Sequence, residues 1–226
     1  GFRALYLALP INCIILGWVT LGMTKLLTVL TGVSSWKIII LLYILITIYI
    51  TISGIWGIIV TDFFQFIIAM TGSIILMFYS IDHAGGINKL IASIQNHSDY
   101  MLNMSPFNNP TILLSTIMIW ISMQWWASWY PGAEPGGGGY IAQRIFSTKT
   151  DKDAVKASLL FNIAHYALRP WPWIIVALVS IISYPDLKDP EIGYPMLMIK
   201  LLPHGLLGLL VISFLSAFMS TVSTHL

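Results

Sequence analysis

Oxygen-bearing side chains recur at helical spacing near the end of this sequence, in SAFMSTVST (216–224). Ser213, Ala217, Ser220 and Thr224 follow one another at steps of four, three and four, so they share one face of a helix. Ser216, Thr221 and Ser223 widen that stripe, and the other side is Leu, Phe, Val and Met. Two chemistries suit the stripe. Small hydroxylated faces let helices approach closely and hydrogen-bond across their interface. A hard monovalent cation could equally be held, because hydroxyls and backbone carbonyls offer oxygens without burying further charge. Spacing alone leaves both open.

A second stretch, YPGAEPGGGGY (130–140), sets two prolines, five glycines and one acid directly after a tryptophan-rich run. A phosphate-binding loop is excluded: GGGGYIAQ lacks the Lys-Ser/Thr pair of GxxxxGK[ST] and follows no strand. Two readings remain, a solvent-exposed cytoplasmic linker or a helix interrupted within the membrane. Irregular backbone at membrane depth persists only where it lines a cavity. In the second reading Glu134 must face that cavity and find a partner. Trp125, Trp126, Trp129, Tyr130 and Tyr140, with Gly138, would then wall a solute pocket. Aromatic residues also gather at membrane interfaces for their own reasons. The histidines (83, 97, 165, 204 and 225) share no metal-ligand spacing, and the lone Cys13 precludes a disulfide within the chain. No organic cofactor is expected.

These residues must be positioned by helices in a lipid bilayer. The chain of 226 residues is 57% hydrophobic and only 9% charged, whereas soluble domains carry roughly 25% charged residues. A net charge of +2 gives no reason to expect nucleic acid. Apolar stretches of about 20 residues span the hydrocarbon core, and six are read here: 4–24, 36–59, 63–81, 111–130, 156–183 and 204–226. The expected fold class is therefore all-α, a polytopic membrane helix bundle. Spans two and three are expected to form a tight hairpin around Asp62. Segment 82–110 is expected as an outer loop with a short amphipathic helix on the membrane surface at 86–95. Segment 184–203 reads as a proline-punctuated loop. Arg144, Lys149, Lys152 and Lys156 form the densest basic cluster, which places 141–156 in the cytoplasm and Lys25 and Lys37 outside. Arg169 is expected to snorkel to lipid phosphates, with a cytoplasmic gate as its alternative role, and Pro170 and Pro172 to bend the fifth span. The missing initiator Met and the uncapped last helix suggest a piece of a longer protein, whose missing remainder would be its principal partner.

Four stretches in order resemble the sodium/solute symporter family. SAFMSTVST is similar to its sodium-site helix with Ala-x-x-Ser-Thr. SGIWGIIVTDFFQFIIAMTG resembles its Gly-Gly-x-x-x-Val-x-x-Thr-Asp-x-x-Gln hairpin, and YIAQRIFSTKTDKDA its Gln-Arg-x-x-x-Ala-Lys cytoplasmic segment, with Ser147 where alanine is commoner. The long loop before the fourth span agrees. The resemblance implies part of a five-plus-five inverted-repeat fold, with discontinuous helices meeting near the midplane. It implies a sodium ion held by the Ala217 carbonyl and the Ser220 and Thr221 hydroxyls, and Asp62 on the ion's exit route. Asp62 reads otherwise as an acid at a helix N-terminus. The resemblance also places 130–140 on the second repeat's discontinuous helix and favours the interrupted-helix reading. Gly138 and Gly139 stand where sugar-transporting members carry an Asn-Gln pair, so no sugar is inferred. The implied function is sodium-driven import of a small organic solute across the cytoplasmic membrane, with no enzymatic step. A sensory membrane module, a membrane enzyme and a channel are the rival classes.

Overall fold

The computed structural model describes residues 2–6, 9–10, 12–97, 102, 114–124 and 145–225. Among these residues the fold is all-α, without a strand. In chain order the helices are α1 (Phe2–Tyr6), α2 (Asn12–Thr31), α3 (Ser35–His83), α4 (Ile87–His97), α5 (Leu114–Ile119), α6 (Asp151–Asn162), α7 (Pro170–Ser183), α8 (Gly193–Leu201) and α9 (His204–His225). Five described stretches are long and apolar enough to cross a membrane: 12–31, 35–52, 60–83, 151–183 and 204–223. The chain is a polytopic membrane bundle. Its exterior bears that out, with Trp18, Trp36, Ile52, Phe63 and Phe64 all exposed, as they would be only against lipid or further protein.

The expected fourth span, 111–130, falls partly outside the described residues; 114–124 is helical, α5 passing into a π-helical turn at Trp120–Gln124. The first apolar stretch runs past Lys25 to Thr31. The lysine does not end the helix because its long apolar stem lies along the bundle while the ammonium reaches outward. There it meets Asp189 at 2.8 Å and Glu191 at 2.5 Å, on the connection after α7. What ends α2 is Gly32, whose φ of +68° is a left-handed conformation open to glycine. Its N–H closes on the Thr28 carbonyl at 2.9 Å.

The second and third stretches correct the sequence expectation. No turn forms around Asp62; the backbone stays helical from Ser35 to His83. A straight helix of that length would reach about 73 Å, more than twice the roughly 30 Å of hydrocarbon it must cross. It is not straight. The Tyr49 and Thr61 hydroxyls hydrogen-bond at 2.7 Å, yet twelve residues of straight helix separate their backbones by about 18 Å. No tyrosine and threonine span that gap, so the axis bends sharply between them. The run holds no proline to break its hydrogen bonds, so the change of direction is made without a loop. Asp62 lies just past the bend, within the second arm.

Two expected loops are also more ordered. α4 buries Leu90 and Ile94 in the common core and packs on α7, so its apolar face meets protein rather than the membrane surface. Segment 184–203 contains a 3-10 turn (Pro190–Ile192) and α8. Asp189 caps that turn by accepting from the Glu191 N–H at 3.1 Å, and α8 buries Leu197 and Met198 completely. Pro190 and Pro195 sit in the first turns of the two helices, where the missing N–H costs nothing.

The core joins α2, α3, α4, α7, α8 and α9 through Met23, Leu42, Ile46, Leu76, Val176, Val179, Leu210, Phe218 and Val222. α8 sits so close to α7 that a Cβ on Gly193 would overlap the Ser180 hydroxyl oxygen and lie 3.2 Å from its Cβ. Gly193→Ala is therefore expected to destabilise the protein by about 1–3 kcal/mol through overpacking. Ser180→Ala in the same chain should restore most of that loss. Thermal unfolding of both variants in detergent checks it.

The Lys25 hydrogen bond, then the Glu191 amide, hold the Asp189 carboxyl below its ordinary 3.8. A depressed carboxylate stabilises above its unfolded pKa, and that contribution disappears as pH falls through the folded value. Asp189→Asn should thus lower the melting temperature slightly at neutral pH and make no difference well below pH 3.8, in paired melts across that range.

Candidate functional site

The oxygen stripe of α9 lies beside its packing seam. Phe218 and Val222 are buried, whereas Ala217 is exposed and Ser220 and Thr221 are half-buried. Ser213, higher on the same stripe, is buried and donates to the Leu210 carbonyl at 2.7 Å. The packing reading accounts for it. Lower down, the Thr221 hydroxyl donates to the Ala217 carbonyl at 3.0 Å, and the Ser223 hydroxyl donates to the Ser220 carbonyl at 3.0 Å.

That arrangement suits a cation. The Ala217 carbonyl accepts both the Thr221 N–H of the helix and the Thr221 hydroxyl, while a donating hydroxyl keeps both lone pairs of its own. Thr221 therefore presents a hydroxyl oxygen with free lone pairs 3.0 Å from the Ala217 carbonyl, close enough for an ion that displaces the hydroxyl's hydrogen bond to touch both. The Ser220 hydroxyl is a half-buried neighbour one residue away. Asp62 is half-buried on the second arm of α3, and α3 is the helix along which α9 chiefly packs. Among the described residues no three His, Cys, Asp or Glu gather as a metal cluster. The substrate-wall residues Trp125, Trp126, Trp129, Tyr130, Glu134, Gly138 and Tyr140 lie outside the described residues.

The segment leading into α6 uses its acids locally. Thr150 caps the helix by accepting from the Asp153 N–H at 3.2 Å, and its hydroxyl donates to the Asp153 carboxylate at 2.8 Å. With Asp151 they favour the helix N-terminus. Between α6 and α7 the helix widens into a π turn over Ile163–Leu168, where the Arg169 N–H reaches the Ala164 carbonyl at 3.0 Å. Pro170 explains the widening. Its ring clashes with the carbonyl four residues back and offers no N–H, so the extra residue is accommodated there. Pro172 lies within regular α7.

Arg169 departs from its expected role at lipid phosphates. Its guanidinium contacts His165 Nδ1 at 3.2 Å and lies 4.7 Å from the centre of the Trp173 ring. A half-buried guanidinium gains from a π face when water is scarce. Trp173 in turn donates its indole N–H to the Ser73 hydroxyl at 3.0 Å and stacks on Phe214. One chain of contacts thus joins Arg169 on the π turn to α3 and α9. Sequence reasoning missed it because its members are dispersed over α3, α7 and α9.

A model of the sodium:solute symporter family matches residues 9–226. The chain belongs to the sodium:solute symporter family. The human sodium/iodide cotransporter is 24% identical over 219 residues, which cover 89% of this chain and 32% of that protein. The sodium-coupled monocarboxylate transporter 2 of Mus musculus is 27% identical over 165 residues, 70% of this chain and 24% of that protein. Its Homo sapiens counterpart is 26% identical over 213 residues, 87% and 32% of the two chains. The chain spans no more than about a third of the length of these relatives.

Proposed function

We propose that this chain is part of a sodium-coupled symporter that imports a small organic solute across the cytoplasmic membrane. The carrying observation is the oxygen pair at the lower end of α9, Ala217 carbonyl and Thr221 hydroxyl, 3.0 Å apart in a chain of this family. Ala217, Ser220 and Thr221 serve as sodium ligands, and the remaining ligands come from outside this chain. Sodium is cargo and driving force. It shifts the outward and inward arrangements only through its different affinity for each. Asp62 offers a negative charge on the route by which the ion leaves. The relatives' printed names, an iodide cotransporter and a monocarboxylate transporter, support sodium coupling; the solute is open between such classes. No bond is made or broken, and no enzymatic residue is assigned.

The solute is proposed to meet the glycine tract, with Glu134 as its polar anchor and Trp126, Trp129, Tyr130, Gly138 and Tyr140 around it. An acid there suits a solute with a cationic or hydroxylated group. Solute uptake by the complete transporter in vesicles, across a panel and with or without an imposed sodium gradient, is the direct test. Accumulation against a gradient should require sodium; equal uptake without it would exclude symport. Glu134→Gln is expected to reduce uptake by tenfold or so, the scale of one charged hydrogen bond. Unaltered uptake would remove Glu134 from the solute site.

A further inference from the structure

Threonines inside apolar helices usually satisfy their hydroxyls by donating to the carbonyl four residues earlier. Thr20, Thr31, Thr47, Thr51, Thr71 and Thr221 all do so here, at 2.6–3.0 Å. Thr24 and Thr28 do not. Among the described residues both hydroxyl oxygens are buried with no hydrogen-bond partner, and Thr24 is only 4% exposed. The two lie one above the other on α2 and line a cavity of about 520 Å³ between α2 and the first arm of α3. Leaving two hydroxyls buried and unbonded is unfavourable unless something else bonds them. The cavity is of the size that small-molecule sites occupy.

We propose that this groove binds a small uncharged polyhydroxylated molecule, hydrogen-bonded by Thr24 and Thr28, with Lys25 at its mouth. The electrical balance selects the class. Lys25 is matched by two carboxylates, Asp189 and Glu191, so the mouth carries one net negative charge and repels an anion. Successive hydroxyls four residues apart on a helix are separated by about 6 Å. That is too far for one compact cation, which draws its oxygens to within about 2.3–2.6 Å of itself. A chain of hydroxyls matches the spacing. Each threonine can donate to it and accept from it, and the Lys25 ammonium keeps one hydrogen beyond the two its carboxylates engage. The Thr20 hydroxyl, bonded to Tyr43 at 3.0 Å, closes one end of the ladder. Leu21, Val29 and Ile39 supply the apolar wall that a carbon backbone would lie against. The site uses none of the residues assigned to sodium or to the transported solute.

The experiment uses the complete transporter in phosphatidylcholine nanodiscs, with the exposed Cys13 replaced by serine. Leu21→Cys places a thiol on the exposed rim of the groove, and its rate of modification by a small water-soluble thiol reagent is measured. Mannitol at ten times its Kd should slow modification about tenfold, and lactate at the same concentration should not. Thr24→Val should remove the protection while the protein stays monodisperse. A glycolipid added to the nanodisc is the second arm: protection without mannitol means that the polyol is a lipid headgroup. Modification unaffected by mannitol and by glycolipid overturns the proposal. So does protection by lactate alone, or a thiol that is never modified because the rest of the protein fills the groove.

Discussion

Thr221→Val in the complete transporter is expected to raise the sodium concentration for half-maximal uptake by about tenfold, while uptake at saturating sodium stays close to that of the parent. Valine keeps the shape of threonine and removes only the oxygen. An oxygen ligand lost from a desolvated site is worth roughly 1–3 kcal/mol, and 1.4 kcal/mol is a factor of ten in affinity. The variant also loses the hydroxyl's bond to the Ala217 carbonyl, but that carbonyl keeps its place in the helix. Thr221→Ser returns the oxygen and should return the sodium dependence; Ser220→Ala should repeat the shift. A stripe that only packs helices behaves differently. Its loss would lower the amount of folded protein and leave the sodium dependence where it was, and that outcome ends the sodium reading.

What could be read from the sequence, and what could not, follows from the solvent. In water an apolar residue marks the inside, so hydrophobic periodicity reports packing. In lipid both faces of a helix are apolar, and the pattern reports only that a span exists. Membrane spans and the all-α class were therefore legible, as was a helix near 86–95. The partner of each face was not. α4 looks like a surface helix by its pattern, yet Leu90 and Ile94 find protein rather than lipid. Lys25 looks like the end of a span because it is charged, but charge on a flexible stem marks where the ammonium lies rather than where the backbone stops. A change of direction in α3 was legible in the length of its apolar run, but nothing in the sequence signalled that the backbone would stay helical through it. The threonine ladder of α2 was missed for a deeper reason. Thr20, Thr24 and Thr28 are the same letter at the same spacing, and only their hydrogen bonds distinguish one satisfied by the backbone from two that are not. The α9 stripe was legible as a stripe, and the resemblance of its residues to a family motif carried the ion.

Phe218→Ala is expected to cost about 2 kcal/mol, and the reason for the size separates membrane packing from packing in water. Phe218 is 3% exposed and belongs to the core that α9 shares with α3. In a soluble core the same truncation removes about 3–5 kcal/mol, part from returning apolar surface to water and part from the cavity left behind. Lipid tails are as apolar as the core, so most of the water-transfer part is absent when helices separate within a bilayer. The lost dispersion contacts and the cavity remain. Ala217, one residue earlier, points to the exposed side of the same helix, so Ala217→Val should cost far less stability while crowding the carbonyl assigned to sodium. Reversible unfolding of the two variants in bicelles, alongside sodium-dependent uptake, gives opposite signatures. Phe218→Ala lowers stability and spares sodium affinity in the molecules that remain folded, whereas Ala217→Val does the reverse. If both substitutions lowered stability and neither touched sodium, α9 would be a packing helix along its whole length.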